Sequence, residues 1–247
     1  MPLDHALTEK IAGLNARYKH HGATTVLGDA LRDPALGQIA MVSSFGAESV
    51  ALLHLVAVID RHTPVLFIDT EMLFPETLVY QSELAVKLEL TNVRIVRARL
   101  ADTLAADPEG KLHQHNPDAC CELRKTEPLQ RALSGFDTWI TGRKRYQSGQ
   151  RAALDFFEVE EATGRIKINP LAHWTSEDVA EYMLVNRLPR HPLVKQGYPS
   201  IGCAPCTSQV KEGEDPRAGR WRGQDKDECG IHFVDGKIVR GPRPAAA

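Results

Sequence analysis

The segment QIAMVSSFGAESVALLHLVAVIDRHTPVLFID, residues 38–69, decides the fold class. It begins with a short apolar run, Gln38–Ser43, which predicts a buried strand. After a turn of small residues comes the stretch Ser49–Arg61, which has apolar residues on several faces and predicts a helix. A second run, Pro64–Asp69, is rich in β-branched and aromatic residues and predicts a second strand. A strand, a helix and a strand in this order are typical of a parallel sheet.

The alternation of strands and helices continues along the chain. Pro75–Leu90 predicts a helix that begins with a proline in its first turn. Val93–Arg97 and Thr138–Thr141 predict two more strands, and a helix is expected between them around Cys121–Leu133. We therefore predict an α/β domain with a mostly parallel sheet and helices on both faces. Ligands of such sheets bind at the carboxyl ends of the strands.

The overall composition excludes several classes of protein. Of the 247 residues, 43% are hydrophobic and 25% are charged, which is typical of a globular domain. The formal net charge of −2 supplies no general basic field for nucleic acid. The longest apolar stretch, Val50–Ile59, is too short to span a bilayer, and residues 1–10 do not resemble a signal peptide. We expect a cytoplasmic protein without membrane or nucleic-acid partners, and leave the oligomeric state open, a homo-oligomer included.

The character of the sequence changes after about Thr207. Residues 211–228 are rich in Gly, Asp, Arg and Lys and contain few apolar residues, which predicts a mobile surface segment. We therefore expect a nucleotide-binding α/β domain over residues 1–206 and a flexible C-terminal segment over 207–247. A merely disordered tail is the alternative. The compact cluster ECGIHF at residues 228–233 argues against that alternative, because a plain tail has no need of it.

Four of the five cysteines form two close pairs. Cys120 and Cys121 are adjacent, and Cys203 and Cys206 belong to a Cys-Ala-Pro-Cys motif. Four thiolates suit a tetrahedral zinc ion or an iron–sulfur cluster. Adjacent cysteines chelate one ion poorly because their side chains diverge, whereas a cubane offers a separate iron corner to each. The spacing therefore favours a [4Fe–4S] cluster over zinc, and it leaves open buried structural thiols and a redox-active CxxC pair.

Cys229 stands apart from these four and is a candidate nucleophile. A nucleophilic cysteine acts as its thiolate, which nearby positive charge favours. Basic residues precede it in the sequence: Arg217, Arg220, Arg222 and Lys226. Acidic residues between them, such as Asp225 and Asp227, partly offset that charge, so charge alone does not decide the role of Cys229.

The turn after the first predicted strand is a candidate anion-binding site. Its sequence SSFGAES, residues 43–49, would present backbone N–H groups and a helix N-terminus to a phosphate or a sulfate. The turn is weak evidence alone, because small residues also serve turn geometry, and it lacks the lysine of a P-loop. The countercharge must therefore come from elsewhere. The candidate binding residues in this turn are Ser43, Ser44, Phe45, Gly46 and Glu48.

Candidate sources of that countercharge lie at two other places. Lys125 follows Cys121 by one helical turn, so it could lie beside both the cysteines and a bound anion. Arg143 and Lys144 follow a predicted strand, at the edge where ligands bind. Asp69-Thr70 ends another strand at the same edge. Its carboxylate either holds a ribose or caps the following turn, and the sequence does not separate these two roles.

Taken together, these motifs resemble the assimilatory adenylyl-sulfate (APS) reductases, which are relatives of the phosphoadenylyl-sulfate (PAPS) reductases. The resemblance runs in order from about residue 38 to 233. The matching motifs are Ser43–Glu48, Ile68–Thr70, Cys120–Lys125 with Pro128-Leu129, Thr141–Arg143 with Gln147-Ser148, Cys203-x-x-Cys206 and Glu228–His232.

The resemblance implies a fold of the adenine nucleotide α-hydrolase type and a [4Fe–4S] cluster on the four paired cysteines. It implies that Cys229 attacks the sulfur of APS, that AMP leaves and that a Cys-S-sulfonate forms. Thioredoxin, a separate protein, then releases sulfite, in the assimilation of sulfate for cysteine biosynthesis. The residues that this resemblance places around the substrate beyond the turn are Lys125, Arg143, Lys144, Arg217, Arg220 and His232.

Three other functions are weighed against this one. A PAPS reductase is the nearest, but PAPS-specific members typically lack the four paired cysteines. An ATP pyrophosphatase with a PP-loop shares the fold, but its loop reads Ser-Gly-Gly-x-Asp-Ser where this chain has Ser-Phe-Gly-Ala-Glu-Ser. An iron–sulfur redox sensor leaves both the anion-binding turn and Cys229 without a role.

Overall fold

The computed structural model describes residues 5–147 and 151–223, and within them the chain forms one sheet of six strands in the order β3-β2-β1-β4-β6-β5. Every neighbouring pair is parallel except β5 and β6, which are antiparallel. The strands are β1 Ile39–Ser43, β2 Val65–Ile68, β3 Val93–Val96, β4 Thr138–Ile140, β5 Phe157–Val159 and β6 Ile166–Ile168.

Helices connect these strands and cover the sheet. In chain order they are α1 His5–Tyr18, α2 Ala23–Ala30, α3 Ser49–Asp60, α4 Pro75–Lys87, α5 Leu100–Ala106, α6 Leu112–His115, α7 Pro117–Cys121, α8 Glu127–Ala132 and α9 Ser176–Val185. A π-helix, Glu122–Thr126, joins α7 to α8. Short 3₁₀ helices include Pro192–Gln196 and Ala204–Cys206.

The alternation of side chains along the strands produces a core on each face of the sheet. Met41 and Phe67 pack into the larger cluster, which also contains the apolar face of α3. Their strand neighbours Ala40 and Leu66 point the other way, into a smaller cluster with Leu129 of α8. Successive side chains of a strand point to opposite faces, so strands that are apolar at every position require helices on both. The predicted α/β architecture is confirmed.

The predicted elements agree with the structure to within a few residues, with one exception. The helix expected around Cys121–Leu133 is interrupted, because the π-helix Glu122–Thr126 separates α7 from α8. The strands β5 and β6 were not predicted. They are only three residues long and add an antiparallel edge to the parallel sheet.

Residues 207–223 differ from the expected mobile segment. Thr207 forms a β-bridge with Arg220, and the Trp221 N–H donates to the Cys206 carbonyl. The Trp221 side chain is 3% exposed. This part of the chain therefore folds back on the Cys203–Cys206 loop, held by backbone hydrogen bonds that polar composition did not reveal. Residues 224–247 lie outside the described residues, so the division at residue 206 stays a prediction.

Within residues 5–147 and 151–223, no helix combines the length and the apolar character needed to cross a membrane.

Candidate anion-binding and cysteine site

A cavity of about 330 Å³ opens at the carboxyl ends of β1, β2 and β4. The chain proceeds from β1 toward β2 and β3 on one side, and β4 lies on the other side of β1, so this is the switch point where ligands of such sheets bind. The predicted residues that line the cavity are Ser43, Ser44, Gly46, Glu48, Thr70, Lys125, Arg143, Lys144, Arg217, Arg220 and Cys203. The structure thus brings together most of the site predicted from sequence.

The turn between β1 and α3 is held in shape by its own side chains. The Ser43 hydroxyl accepts a hydrogen bond from the Phe45 N–H at 3.2 Å, and the Ser49 hydroxyl accepts one from the Gly46 N–H at 3.0 Å. Phe45 has a φ of 49° and is fully buried against Phe67. Phe45 therefore anchors the turn and is absent from the cavity lining, while the exposed Ser44 does line it.

Glu48, at the N-terminus of α3, accepts hydrogen bonds from three side chains of the loop after β4. Its carboxylate accepts from Lys144 Nζ at 2.8 Å, from the Tyr146 hydroxyl at 2.8 Å and from Gln147 Nε2 at 3.4 Å. Burial opposes ionisation of Glu48, but Lys144 and these donors outweigh it and lower the pKa of the carboxyl. Burial lowers the pKa of Lys144, and the Glu48 carboxylate counteracts that effect. The charges of Glu48 and Lys144 largely compensate each other.

Arg143 is also engaged by an acidic partner. Its guanidinium pairs with Glu158 of β5 and donates to Asn169 Oδ1 at 3.1 Å. Asn169 in turn donates to Glu158 at 2.9 Å and accepts from the Thr141 hydroxyl at 2.6 Å. The unpredicted strand β5 thus supplies the carboxylate that orients Arg143 at the cavity wall.

The opposite wall of the cavity is formed by the segment that folds back after Cys206. Arg220 donates to the Ile201 carbonyl at 3.2 Å, and its guanidinium lies 4.4 Å from the centre of the Trp221 ring. A Cβ atom added at Gly202 would lie 2.5 Å from Arg220 Cζ. Only glycine therefore leaves room for the guanidinium in this position. Arg217 lies on the same wall.

The four paired cysteines lie beside this cavity. Cys120 and Cys121 end α7, while Cys203 makes an isolated bridge with Leu73 and also lines the cavity. Cys203 Sγ is 3.2 Å from the Thr70 hydroxyl. Burial raises the pKa of Cys120 to about 11, and the thiols of Cys203 and Cys206 add to this effect, so those sulfurs lie near Cys120.

The four cysteines are the candidate metal donors of the site. Within the described part of the chain, no group of three or more His, Cys, Asp or Glu side chains converges closely enough to hold one ion. Cys120, Cys121 and Cys203 are buried, and Cys206 is half-buried. Four thiolates are a donor set that suits a tetrahedral zinc ion or an iron–sulfur cluster.

Several predicted residues fall elsewhere. Asp69 is buried but does not line the cavity: its carboxylate accepts from the Glu71 N–H at 2.9 Å and pairs with Arg97 at 2.8 Å. Of its two predicted roles, the structure shows the capping of the turn. Cys229 and His232 lie outside the described residues, so their roles stay predictions.

Sequence reasoning missed Tyr146, which contacts Glu48, and Asp107, a buried carboxylate paired with Arg124. Both contacts join residues from separate elements. No local motif marked Asp107, whereas a tyrosine among the cations of residues 143–151 was a signal available for Tyr146.

Comparisons with known proteins agree with these observations. Residues 38–209 match the family model of the phosphoadenosine phosphosulfate reductase domain. An adenosine 5'-phosphosulfate reductase of Mesorhizobium japonicum is 49% identical over 238 residues, which cover 94% of this chain and 93% of that protein. A phosphoadenosine 5'-phosphosulfate reductase of Gloeobacter violaceus is 36% identical, with 94% and 96% covered.

Among solved structures, phosphoadenylyl-sulfate reductase from Candida auris in a phosphate complex superposes with a TM-score of 0.70. It is 29% identical, and the match covers 85% of this chain and 99% of that one. Yeast FAD synthetase, at 16% identity, has a TM-score of 0.51 over 83% of this chain and 75% of its own, which is a likeness of fold alone.

Proposed function

Since this chain belongs to the phosphoadenosine phosphosulfate reductase family, we propose that it reduces adenylyl sulfate to sulfite and AMP in sulfate assimilation. One observation carries the proposal: a cavity with basic walls at the switch point of the sheet shares Cys203 with a site of four cysteines. Relatives named as reductases of adenosine 5'-phosphosulfate reach 49% and 50% identity, against 36% for the phosphoadenosine 5'-phosphosulfate reductase of Gloeobacter violaceus.

The charges in the cavity support a place for the phosphosulfate group. Lys144 pairs with Glu48 and Arg143 pairs with Glu158, so each of these two cations is oriented at the cavity wall by a carboxylate. Lys125, Arg217 and Arg220 line the cavity on the side of Cys203. We infer that these three cations and the β1–α3 turn hold the anion, because a thiolate approaches a multiply charged substrate only where the substrate charge is neutralised.

Cys229 is the proposed nucleophile. Its thiolate attacks the sulfur of APS, the bond between that sulfur and the bridging phosphate oxygen breaks, and AMP leaves as the phosphate anion. The Cys-S-sulfonate that forms is then cleaved by a dithiol donor such as thioredoxin, which is oxidised to its disulfide as sulfite leaves. The two electrons therefore come from a partner protein, and a reducing compartment such as the cytoplasm suits this chemistry.

The described chain reaches the cavity a few residues before Cys229, the proposed nucleophile. Trp221 lines the cavity, and Cys229 is the sixth residue after Gly223, the last described residue. An extended chain of that length reaches about 20 Å. Cys229 therefore has the reach to enter the cavity from the segment that we propose as its carrier, residues 207–247.

We propose that Cys120, Cys121, Cys203 and Cys206 hold a [4Fe–4S] cluster. With all four irons bound by cysteine there is no open coordination position, so the bound group would supply structural support and an electrostatic field beside the substrate. Lys125 lines the cavity, and its positive charge lowers the pKa of Cys120 against the effect of burial.

The decisive experiment traps the first half of the reaction. The protein is mixed with APS without thioredoxin, and mass spectrometry of its peptides then looks for a sulfonate on Cys229. We expect the adduct with APS and little with PAPS, and a faster rate with PAPS would favour the PAPS reductase alternative.

The matched variant is Cys229→Ser, which should form no sulfite yet keep its iron and its visible absorption. Sulfite production by Cys229→Ser would refute the assignment.

A further inference from the structure

A buried ion pair borders the four-cysteine site. Arg124 lies in the π-helix, four residues after Cys120, and its Nη2 donates to Asp107 Oδ2 at 3.0 Å. The two side chains are 6% and 3% exposed. Buried charges of this kind are retained where they are paired and hydrogen-bonded, and π-turns are frequent at functional sites.

Both ends of the Arg124 guanidinium are held by other elements. Asp107 follows α5, and its Oδ1 accepts from the Leu112 N–H at 2.9 Å, which fixes the carboxylate in the α5–α6 loop. On the other side, Arg124 Nη1 donates to the Thr70 carbonyl at 3.2 Å and lies 3.6 Å from Glu71. The plane of the guanidinium is therefore determined by contacts on two sides.

The third nitrogen of the group, Nε, is buried and has no hydrogen-bond partner within the described residues. A buried N–H without an acceptor destabilises the folded protein, so buried donors nearly always have a hydrogen-bond partner. The buried Nε–H of Arg124 therefore indicates an acceptor close to it. Cys120 precedes Arg124 by four residues in the continuous helical run Pro117–Thr126, and residues four apart are neighbours on a helix surface.

We propose that Arg124 Nε donates a hydrogen bond to sulfur at the four-cysteine site, and that Asp107 is the residue that positions it. N–H donors to cluster sulfur stabilise the reduced, more negative state and raise the reduction potential. The inference rests on the proposed cluster but not on the proposed substrate.

The competing explanation is that the pair only fastens the α5–α6 loop to the Thr70 segment. Arg124→Lys separates these two roles, because lysine keeps a positive charge for Asp107 but has no Nε–H in a fixed plane. Arg131→Lys is the matched control, since Arg131 lies further along the same helical region and pairs with Glu127.

The experiment uses protein purified without oxygen with its iron in place. Resonance Raman spectra of the Fe–S stretching bands are recorded in H₂O and in D₂O after full exchange, and the midpoint potential is measured. We expect a deuterium shift in the wild type and in Arg131→Lys that is reduced in Arg124→Lys and in Asp107→Asn. The reduction equilibrium of Arg124→Lys should fall about tenfold, which is about 59 mV toward negative potential for one electron.

Unchanged bands and potential in iron-loaded Arg124→Lys would overturn the inference, as would a wild-type spectrum insensitive to deuterium, which requires no variant to fold. Protein purified without iron would overturn it whether or not sulfite is formed. By contrast, protein that shows the expected deuterium shifts but makes no sulfite from APS would refute the proposed function and leave the role of Arg124 supported.

Discussion

Removal of the Glu48 carboxylate by Glu48→Gln tests whether the charges in the cavity compensate as the contacts indicate. The Lys144 side chain is 3% exposed and that of Glu48 is 35% exposed, with 2.8 Å between Nζ and Oε2. Loss of one partner of a buried pair costs about 3–5 kcal/mol because the other charge is left buried and unpaired. Since Glu48 is partly exposed, we expect the lower end, about 3 kcal/mol.

The assay is urea unfolding at neutral pH, with Glu89→Gln as the matched control. Glu89 pairs with Arg61 on the surface, where the two side chains are 70% and 53% exposed, so its loss should cost about 0–1 kcal/mol. Both variants remove one carboxylate charge and keep the side-chain volume.

The pH dependence of the stability of Glu48→Gln provides a second test of whether the loss comes from a charged Lys144 left without its partner. Burial lowers the pKa of Lys144, and without Glu48 that pKa falls further. A lysine whose folded pKa is depressed destabilises the fold while it is charged. That penalty shrinks as pH rises toward the pKa of an unfolded lysine, about 10.4. The defect of Glu48→Gln should therefore be largest near neutral pH and smaller at pH above about 9. Equal losses in Glu48→Gln and Glu89→Gln at neutral pH would refute the reasoning.

Three further predictions follow from contacts at the same site. Gly202→Ala should displace the Arg220 guanidinium and lower kcat/KM for APS about tenfold, which corresponds to roughly 1.4 kcal/mol. Steady-state kinetics measures this loss, and an unchanged kcat/KM would contradict the role of Arg220. Cys203→Ser should lose most of its iron but keep the far-ultraviolet circular dichroism of the folded protein. A colorimetric assay measures the iron, and full iron content in this variant would contradict the proposed ligand set. In the wild type, the lowered pKa of Glu48 contributes stability that is present above the unfolded pKa, about 4.3, and is lost as pH falls toward the folded value. Urea midpoints between about pH 3 and 7 should show a loss at the acidic end that Glu48→Gln lacks.

The position of the site could be predicted from the sequence because it depends on strands and turns that local residue patterns mark. β1 and β2 were predictable because their side chains are almost all apolar, in short runs bounded by turn residues. Once these strands are parallel, their carboxyl ends share one edge, which brings Ser44, Thr70 and Arg143 to one cavity. The cysteine pairs were visible as spacing alone.

Other features had no local pattern to indicate them. The π-helix after Cys121 differs from an α-helix in the register of its backbone hydrogen bonds, and no residue type in Glu122–Thr126 marks that change in the sequence. β5 and β6 are too short for periodicity to show. The segment 207–223 is polar, yet it packs because its backbone hydrogen bonds and Trp221 find partners in the Cys203–Cys206 loop.

The order of residue types along the chain was enough to predict an α/β sheet, a basic anion site at one edge and a set of four cysteines, because each strand, each turn and each cysteine pair is marked by residues close in sequence. Tertiary structure alone decided which carboxylates pair with the cations of the site. Lys144 meets Glu48 across 96 positions, and Arg124 meets Asp107 across 17. Electrostatic compensation depends on distance and burial in space, and neither is encoded in the spacing of residues along the chain.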